Sequence, residues 1–441
     1  MLTRAAVLAS LLLAACETVP QRSAPPPAPS AAPAPVEIAP QPAPAEALPP
    51  PPSAPLLRQP GGTGAVRVAL LLPLSGQAAN VGRALLDAAQ LALFDAARDR
   101  FALIVRDTEG NPDTARRMAE EALAEGAELI LGPLFAAEVQ AVAPAARARE
   151  VNVIAFSTDR TVAGEGIFLL GFTPEEQVQQ VIAHAHENGF GRFAALLPDS
   201  PYGRVIEAAF RRAVEERGAS VGRIASYPPD MTDFTGLVRG FADYDLRRAA
   251  LMAERKALAE RADDEAKALL ARLMRQDTLG DPAFDAVLIP EGGQRLKSLA
   301  PVLPYFDIDP AKVKFLGTGQ WDQPGLGVEP ALQGAWFAAP PPAYAENFRQ
   351  RFETAYRRRP PRIASLAYDA TALAAALAAE PPAFRYTGAA LTNPNGFAGF
   401  DGIFRFRADG IAERGLAILE VRRNDVRVIR PAPESFQAVG Q

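Results

Sequence analysis

The sequence predicts an α/β protein with two doubly wound lobes, preceded by a disordered proline-rich segment. Three observations carry this prediction. Apolar, strand-like runs alternate with helix-like segments after residue 65, the pattern restarts near residue 174, and 16 of the 42 prolines lie between Pro20 and Pro60. Alternating strands and helices build parallel sheets, whose strands are apolar throughout because helices cover both faces.

The composition is that of an acidic globular protein. The chain has 441 residues, a net charge of −5, one cysteine and two histidines. The absence of a basic face argues against a nucleic-acid partner. A single cysteine excludes intramolecular disulfides and cysteine-rich zinc sites, and His184 and His186 are two apart on a predicted helix, where they point in different directions. We therefore expect no metal and no cofactor.

The first 15 residues are interpreted as a signal peptide. Arg4 precedes an apolar stretch, Ala5–Ala15, which is too short to span a bilayer. The run Leu13-Ala14-Ala15-Cys16 resembles the bacterial lipobox, which implies cleavage before Cys16 and lipidation of that cysteine. An ordinary cleavage site is the alternative. Glu17 rather than Asp follows the cysteine, which by the same resemblance favours the periplasmic side of the outer membrane, with inner-membrane anchoring possible.

Residues 16–64 are expected to form a disordered linker between the lipidated cysteine and the folded domain. The segment consists mainly of Pro, Ala, Ser and Gln. Such a composition cannot bury enough apolar surface to offset the entropy of folding. In polyproline II geometry, about 41 residues reach roughly 130 Å. The segment is either a spacer or filler without a selected length.

The first half of the domain is predicted to contain four strands separated by helices. The predicted strands are Val66–Leu72, Ala102–Arg106, Glu128–Leu131 and Val151–Phe156, and the predicted helices are Ala78–Ala97, Pro112–Glu125 and Ala136–Arg149. Ligands of such sheets bind at the carboxyl ends of the strands. We therefore look for candidate binding residues in the loops that follow them.

The second half repeats the alternation and ends in a hairpin. Helices are predicted at Pro174–Asn188, Tyr202–Arg217, Phe234–Phe241, Tyr344–Tyr356 and Ile363–Ala379; strands at Phe193–Leu197, Val221–Ser226 and Ala286–Pro290; and a hairpin at Leu416–Arg422 and Val426–Arg430. We expect one domain over 65–433. Its first lobe would span about 65–173 and 317–400, and its second lobe about 174–316 and 401–433.

Residues 243–278 form a charged helical insertion. Apolar residues recur at helical spacing, which predicts a thin apolar stripe; the stripe residues are Leu246, Ala250, Ala253, Ala257, Ala262, Ala266, Leu269 and Leu273. The insertion is either a surface helix folded onto its own lobe or a protruding arm that binds a partner.

Several loop motifs occur in the order found in a known superfamily. They are Leu72-Pro73-Leu74-Ser75-Gly76, Arg106-Asp107-Thr108, Ile130-Leu131-Gly132-Pro133, Pro198-Asp199-Ser200-Pro201-Tyr202-Gly203 and Lys314-Phe315-Leu316-Gly317-Thr318. Together they resemble the type I periplasmic binding proteins of the leucine/isoleucine/valine class. The resemblance implies two Rossmann-like lobes around a cleft.

Two further motifs resemble one branch of that superfamily. Phe284-Asp285-Ala286-Val287-Leu288-Ile289-Pro290 and Gly317-Thr318-Gly319-Gln320-Trp321-Asp322 are similar to the penicillin-binding protein activator lipoproteins. Members of that family sit on the outer membrane and stimulate a peptidoglycan synthase. The resemblance thus implies a penicillin-binding protein as partner.

The resemblance also implies a set of ligand-binding candidates in the cleft. Amino-acid binders hold the ligand carboxylate with hydroxyls and helix N-termini and its ammonium with a carboxylate. The candidates are Ser75, Phe135, Ser157, Thr158, Tyr202, Glu291, Trp321 and Asp322. Phe135 stands where the amino-acid binders carry a hydroxyl, Tyr202 where they carry an aromatic residue, and Glu291 where they carry the ammonium acceptor. Alternatively, Ser157 and Thr158 cap a turn, Glu291 is a solvated residue at a helix start, and Trp321 and Asp322 pack a lobe.

Motifs of common enzymes do not occur in their required context. A glycine-rich phosphate loop after a strand, a GxSxG elbow and an HExxH pair are missing from the sequence. We expect a non-enzymatic outer-membrane lipoprotein that regulates peptidoglycan synthesis by binding and activating a penicillin-binding protein. The alternative is a lipid-anchored substrate-binding protein of an ABC transporter, with a branched-chain amino acid or similar small molecule as ligand.

Overall fold

The computed structural model describes residues 65–96, 101–323 and 325–436. The predicted signal peptide, Cys16 and the linker lie outside these residues. The described part is an α/β protein of two lobes, each built on its own sheet. Within this part, no helix is long and apolar enough to cross a membrane.

The first lobe contains a five-stranded parallel sheet in the order β2-β1-β3-β4-β5. Its interior strand β1 is apolar because helices cover both of its faces; Val68 pairs with Leu103 on one side and Leu129 on the other. The strands are β1 Val66–Leu72, β2 Phe101–Asp107, β3 Leu129–Leu131, β4 Asn152–Ala155 and β5 Ile167–Leu169, and the helices between them are α1 Ala79–Ala96, α2 Pro112–Ala124 and α3 Ala136–Ala148.

The second lobe contains a seven-stranded sheet in the order β15-β14-β10-β9-β8-β6-β7. The strands are β6 Arg192–Pro198, β7 Ser220–Tyr227, β8 Ala286–Leu288, β9 Lys314–Gly317, β10 Trp336–Ala339, β14 Ala417–Val421 and β15 Val426–Arg430. The helices that precede β10 are α4 Pro174–Glu187, α5 Pro201–Glu215, α6 Thr235–Phe241, α7 Tyr244–Ala259, α8 Asp264–Leu273, α9 Gly293–Leu299 and α10 Val302–Tyr305. The last two strands are antiparallel and close the edge of the sheet.

The chain returns to the first lobe after β10. Helices α11 Pro342–Tyr356, α12 Ala364–Leu377 and α13 Gly388–Leu391 lie there, followed by a small antiparallel sheet of β11 Phe397–Gly399, β12 Gly402–Phe406 and β13 Ala412–Arg414. Phe348 of α11, Leu373 of α12 and Phe404 of β12 belong to one hydrophobic core with β1 and α1.

The lobe boundaries therefore differ from those expected at residues 317 and 401. Trp336 of β10 pairs with Leu316 of β9 inside the second sheet, so the crossing to the first lobe follows Ala339. Phe404 and Phe406 are buried in the first core, so residues 402–414 belong with the first lobe. Apolar runs identify strands, but only pairing decides which sheet receives them.

The insertion forms a helical pair, α7 and α8, with a small core of its own. That core is made by Leu251, Leu258, Ala266 and Leu273. The stripe expected on α8 faces the partner helix at Ala266, Leu269 and Leu273. The stripe expected on α7 lies outside this core, since its members Leu246, Ala250, Ala253 and Ala257 are all exposed. Helix α8 covers only one face of α7. That face carries Leu251 and Leu258, which are seven residues apart.

Candidate interlobe cleft

A cavity of about 280 Å³ lies between the lobes, where hinge and loop residues meet. Its lining includes Thr158 and Arg362 from the first lobe and Phe172 from the hinge segment, residues 170–173, which joins β5 to α4. The second lobe contributes Tyr202, Gln320 and Asp322. The structure thus brings three predicted site residues together, Thr158, Tyr202 and Asp322. Because pockets for drug-sized ligands range from about 300 to 1,000 Å³, the cavity suits a small molecule at most.

The wall that the second lobe contributes to the cavity is built by residues at the carboxyl end of β9 and at the start of α5. Tyr202 follows Ser200, whose Oγ accepts the N–H of Gly203 at 3.1 Å and begins the helix. The Tyr202 hydroxyl lies 3.3 Å from Oγ1 of Thr318, at the end of β9. Burial raises the pKa of Tyr202 above its ordinary value. The phenol is therefore a neutral hydrogen-bonding group in this wall.

Trp321 anchors the wall from behind and does not line the cavity. It is fully buried in the second core, and its Nε1 donates to the carbonyl of Ile289 at 3.1 Å. Gly317 makes this packing possible, since a Cβ there would lie 2.2 Å from Cδ2 of Trp321. The buried ring fixes the 3₁₀ turn Gly319–Trp321 and thereby places the next residue, Asp322, in the cavity.

Asp322 meets a cation from the opposite lobe. Its Oδ2 lies 3.7 Å from Nε of Arg362, which stands just before α12. Nη1 of Arg362 lies 2.7 Å from Oδ1 of Asp401, and its guanidinium lies over the ring of Phe172, 4.7 Å from the centroid. Burial raises the pKa of Asp322, and the positive charge of Arg362 offsets part of that effect. Sequence reasoning missed Arg362 because no motif surrounds it.

Glu291, the expected ammonium acceptor, is engaged by its own lobe. It is buried, its Oε1 accepts the hydroxyl of Tyr227 at 2.8 Å, and Nε of Arg295 lies 3.3 Å from the same oxygen. Burial, followed by the charge of Glu291, raises the pKa of Tyr227. The carboxylate is thus paired with an arginine of its own lobe, and Glu291 lies outside the lining of the cavity.

The three remaining candidates are on first-lobe loops outside that lining. Ser75 is exposed, and its N–H donates to Oδ1 of Asp107 at 3.3 Å. Ser157 is buried, and its Oγ accepts the N–H of Asp159 at 3.1 Å, as a turn-capping hydroxyl does. The Phe135 side chain is 41% exposed.

A buried charge cluster contacts Phe172, a residue of the cavity lining. Nη2 of Arg414 donates to the carbonyl of Leu170 at 2.7 Å, and its guanidinium lies 4.5 Å from the centroid of Phe172, the ring that also contacts Arg362. Burial, assisted by the charge of Asp401, raises the pKa of Asp369 in this cluster. These charges tie β13 and α12 to the hinge segment near Phe172.

Comparisons with known proteins agree with this architecture. A family model described as periplasmic binding protein matches residues 65–425. An uncharacterized protein of Rickettsia prowazekii is 22% identical over 178 residues, which cover 40% of this chain and 47% of that protein. Penicillin-binding protein activator LpoA of Haemophilus ducreyi is 26% identical over 144 residues, which cover 32% of this chain and 24% of the activator. The matches thus span less than half the length of these curated relatives.

Among solved structures, a putative branched-chain amino acid ABC transporter protein from Rhodospirillum rubrum superposes with a TM-score of 0.65 at 22% identity, covering 83% of this chain and 100% of that one. At this identity the likeness concerns the fold. Family and fold neighbour alike are binding proteins rather than enzymes. With the family model covering both lobes, the chain belongs to the periplasmic binding protein family.

Proposed function

We propose that this chain is a lipoprotein, anchored through Cys16 at the periplasmic side of the outer membrane, that binds and activates a penicillin-binding protein. The observation that carries the proposal is the state of the cleft. Glu291, the expected ammonium acceptor, and Asp322, which lines the cavity, are paired with Arg295 and Arg362 of the chain itself. Such a cleft favours a protein-binding role over capture of a free amino acid.

The likeness to penicillin-binding protein activator LpoA supports the same partner class, although it covers 32% of this chain. The linker supports it as well. A proline-rich segment with an expected reach of roughly 130 Å would let the domain meet an enzyme anchored in the opposite membrane. A short linker would confine the domain to its own membrane surface.

The helical pair α7–α8 is the proposed contact surface. It is held in a fixed shape, because Nη2 of Arg255 donates to the carbonyls of Leu273 and Gln276 at 2.8 and 2.7 Å. Its base is fixed to the lobe at Asp307, whose Oδ2 accepts the hydroxyl of Thr278 at 2.6 Å and lies 3.6 Å from Nη2 of Arg247. A rigid helix with an exposed apolar stripe is suited to docking against a groove of another protein.

The stripe itself is defined by Leu246, Ala250, Ala253 and Ala257. Leu246 at its start is 71% exposed. Large apolar side chains that project from a surface helix mark interaction sites when they belong to a contiguous patch. Leu246 is therefore the residue whose substitution tests the contact with the least disturbance to the helical pair.

A pull-down tests the proposal. The full-length lipoprotein is the bait, and detergent-solubilised membranes of the same organism, with synthases labelled by fluorescent penicillin, are the prey. We expect a retained labelled band of high mass with the wild-type bait. Leu246→Glu should weaken that band, whereas Val328→Glu, which places the same charge on another exposed position of the second lobe, should leave it unchanged. Absence of any labelled band would contradict the proposal.

The second candidate is a lipid-anchored substrate-binding protein for branched-chain amino acids or a similar ligand of an ABC transporter. The cavity with Thr158 and Tyr202 in its lining favours it, as does the fold shared with the Rhodospirillum rubrum protein. Native mass spectrometry of the purified chain distinguishes the two. A bound amino acid, together with failure of the pull-down, would favour the transport role.

A further inference from the structure

The two lobes are joined in the cleft by side chains of the chain itself. Asp322 belongs to the second lobe, because the buried Trp321 beside it is part of the second core. Arg362 belongs to the first lobe, because it lies two residues before α12, whose Leu366 and Ala367 are part of the first core. The 3.7 Å ion pair between them therefore crosses the cleft.

The arginine is held in place from its own side. Oδ1 of Asp401 lies 2.7 Å from Nη1 of Arg362, and Oδ2 of Asp401 accepts the hydroxyl of Ser365 at 2.5 Å. Phe172 lies under the guanidinium plane. Burial alone would lower the pKa of Arg362, but the charges of Asp401 and Asp322 raise it. The guanidinium is thus a fixed cation facing the cavity.

The aspartate is held equally well from the other side. The N–H of Asp322 donates to the carbonyl of Gly319 at 3.0 Å, closing the turn that Trp321 anchors. The side chains of Asp322 and Arg362 are 25% and 37% exposed, so the pair is screened less than a surface ion pair. Two anchored, opposite charges on different lobes stabilise the conformation in which they meet.

We propose that Asp322 serves as a built-in ligand: its carboxylate binds the cleft cation Arg362 and holds the lobes together without a small molecule. The site opposite Asp322 is accordingly a carboxylate site, normally filled by the chain. Removal of the Asp322 carboxylate leaves a vacancy at Arg362 that a free monocarboxylate such as formate can occupy. This inference concerns the cleft alone and holds whichever protein partner the chain has.

Chemical rescue tests the inference. Spin labels on cysteines introduced at the exposed positions Gln77 and Arg204, one on each lobe, report the interlobe distance in full-length protein that carries Cys16→Ser. We expect a narrow distribution of interlobe distances in the protein that carries only Cys16→Ser and the two spin labels. Asp322→Ala should lengthen and broaden it, and addition of formate should restore the narrow distribution.

Two variants control for other causes. Arg362→Ala should broaden the distribution without recovery in formate, because the cation that binds formate is gone. Asp281→Ala removes a carboxylate from an exposed pair with Lys312, 2.6 Å apart on the second lobe, and should leave the distance unchanged. An Asp322→Ala distribution that matches the background, or that broadens and does not recover in formate, would overturn the inference.

Discussion

The hydroxyl of Tyr227 donates a 2.8 Å hydrogen bond to Glu291, and Arg295 lies 3.3 Å from the same carboxylate oxygen. Glu291 follows β8 and Arg295 lies one helical turn further on, so the pair is formed within a single connection of the second lobe. Glu291, which the family resemblance pointed to as an ammonium acceptor, therefore binds a phenol hydroxyl and a guanidinium of its own lobe.

Glu291→Ala should lower the free energy of unfolding by about 2 kcal/mol, because a phenol hydroxyl and a guanidinium lose their buried acceptor. Urea unfolding measures the change. Glu291→Gln keeps an oxygen that can accept from Tyr227 and should cost less than the alanine substitution. Equal stability of the alanine variant and the wild type would show that the carboxylate has no such role.

Gly317→Ala should destabilise the second lobe by about 1–3 kcal/mol, since overpacking of a filled core forces displacement of its neighbours. A Cβ at Gly317 would lie 2.2 Å from the ring of Trp321. Tryptophan fluorescence during thermal unfolding reports the change. Gly191→Ala is the matched control, as its Cβ would meet no atom within 4 Å; a similar loss in both variants would refute the packing argument.

Glu176 should make stability depend on pH near neutrality. It accepts the N–H of Arg414 at 2.7 Å, and burial raises the pKa of Glu176 to about 7 despite the opposing effects of Arg414. An unfolded glutamate has a pKa of about 4.3. Between these two pH values the folded chain binds more protons than the unfolded one, so the free energy of unfolding falls as the pH rises. The expected fall is on the order of 2 kcal/mol, because partial contact of the Glu176 carboxylate with solvent weakens the effect.

Glu176→Gln removes this ionisation and should reduce the fall in Tm between pH 5 and pH 8. Asp369, whose pKa burial also raises, keeps part of the dependence. Glu215→Gln, at an exposed position of α5, should retain the wild-type slope. Identical pH profiles for Glu176→Gln and the wild type would rule out this source of pH dependence.

Leu251→Ala should loosen the helical pair without unfolding the lobes. Leu251 is fully buried in the small core shared by α7 and α8, and truncation of such a leucine costs about 2–5 kcal/mol. Hydrogen exchange should therefore quicken within residues 244–273 and stay unchanged in β6 and β8. Leu246→Ala, at an exposed position, should alter exchange little. Protection lost throughout the second sheet would mean that the pair is part of the lobe core.

Local patterns were enough to predict most of the elements. The apolar run Val66–Leu72 is observed as β1 with the predicted bounds, and the hairpin predicted around Asn424-Asp425 is observed as β14 and β15. These features depend on neighbouring residues alone. The lobe that receives β10 depends on a distant partner strand, and the lobe predicted for residues 336–339 differs from the one observed.

The site was harder to predict because its groups are engaged by residues far away in the sequence. The family resemblance pointed to Thr158, Tyr202 and Asp322 as cleft residues, and all three line the cavity. Tyr227 and Glu291 are 64 residues apart, and Asp322 and Arg362 come from different lobes. A residue pattern shows where a carboxylate lies, but only the fold shows which cation has already paired with it.

The rate of peptidoglycan synthesis tests the central claim most directly. The labelled synthase recovered in the pull-down is purified, and its polymerisation of glycan strands is followed with and without the full-length lipoprotein. We expect the wild type to raise the rate at saturating concentration, Val328→Glu to do the same, and Leu246→Glu to require a higher concentration for the same increase. A rate that is unaffected by the wild-type lipoprotein at any concentration would contradict the claim.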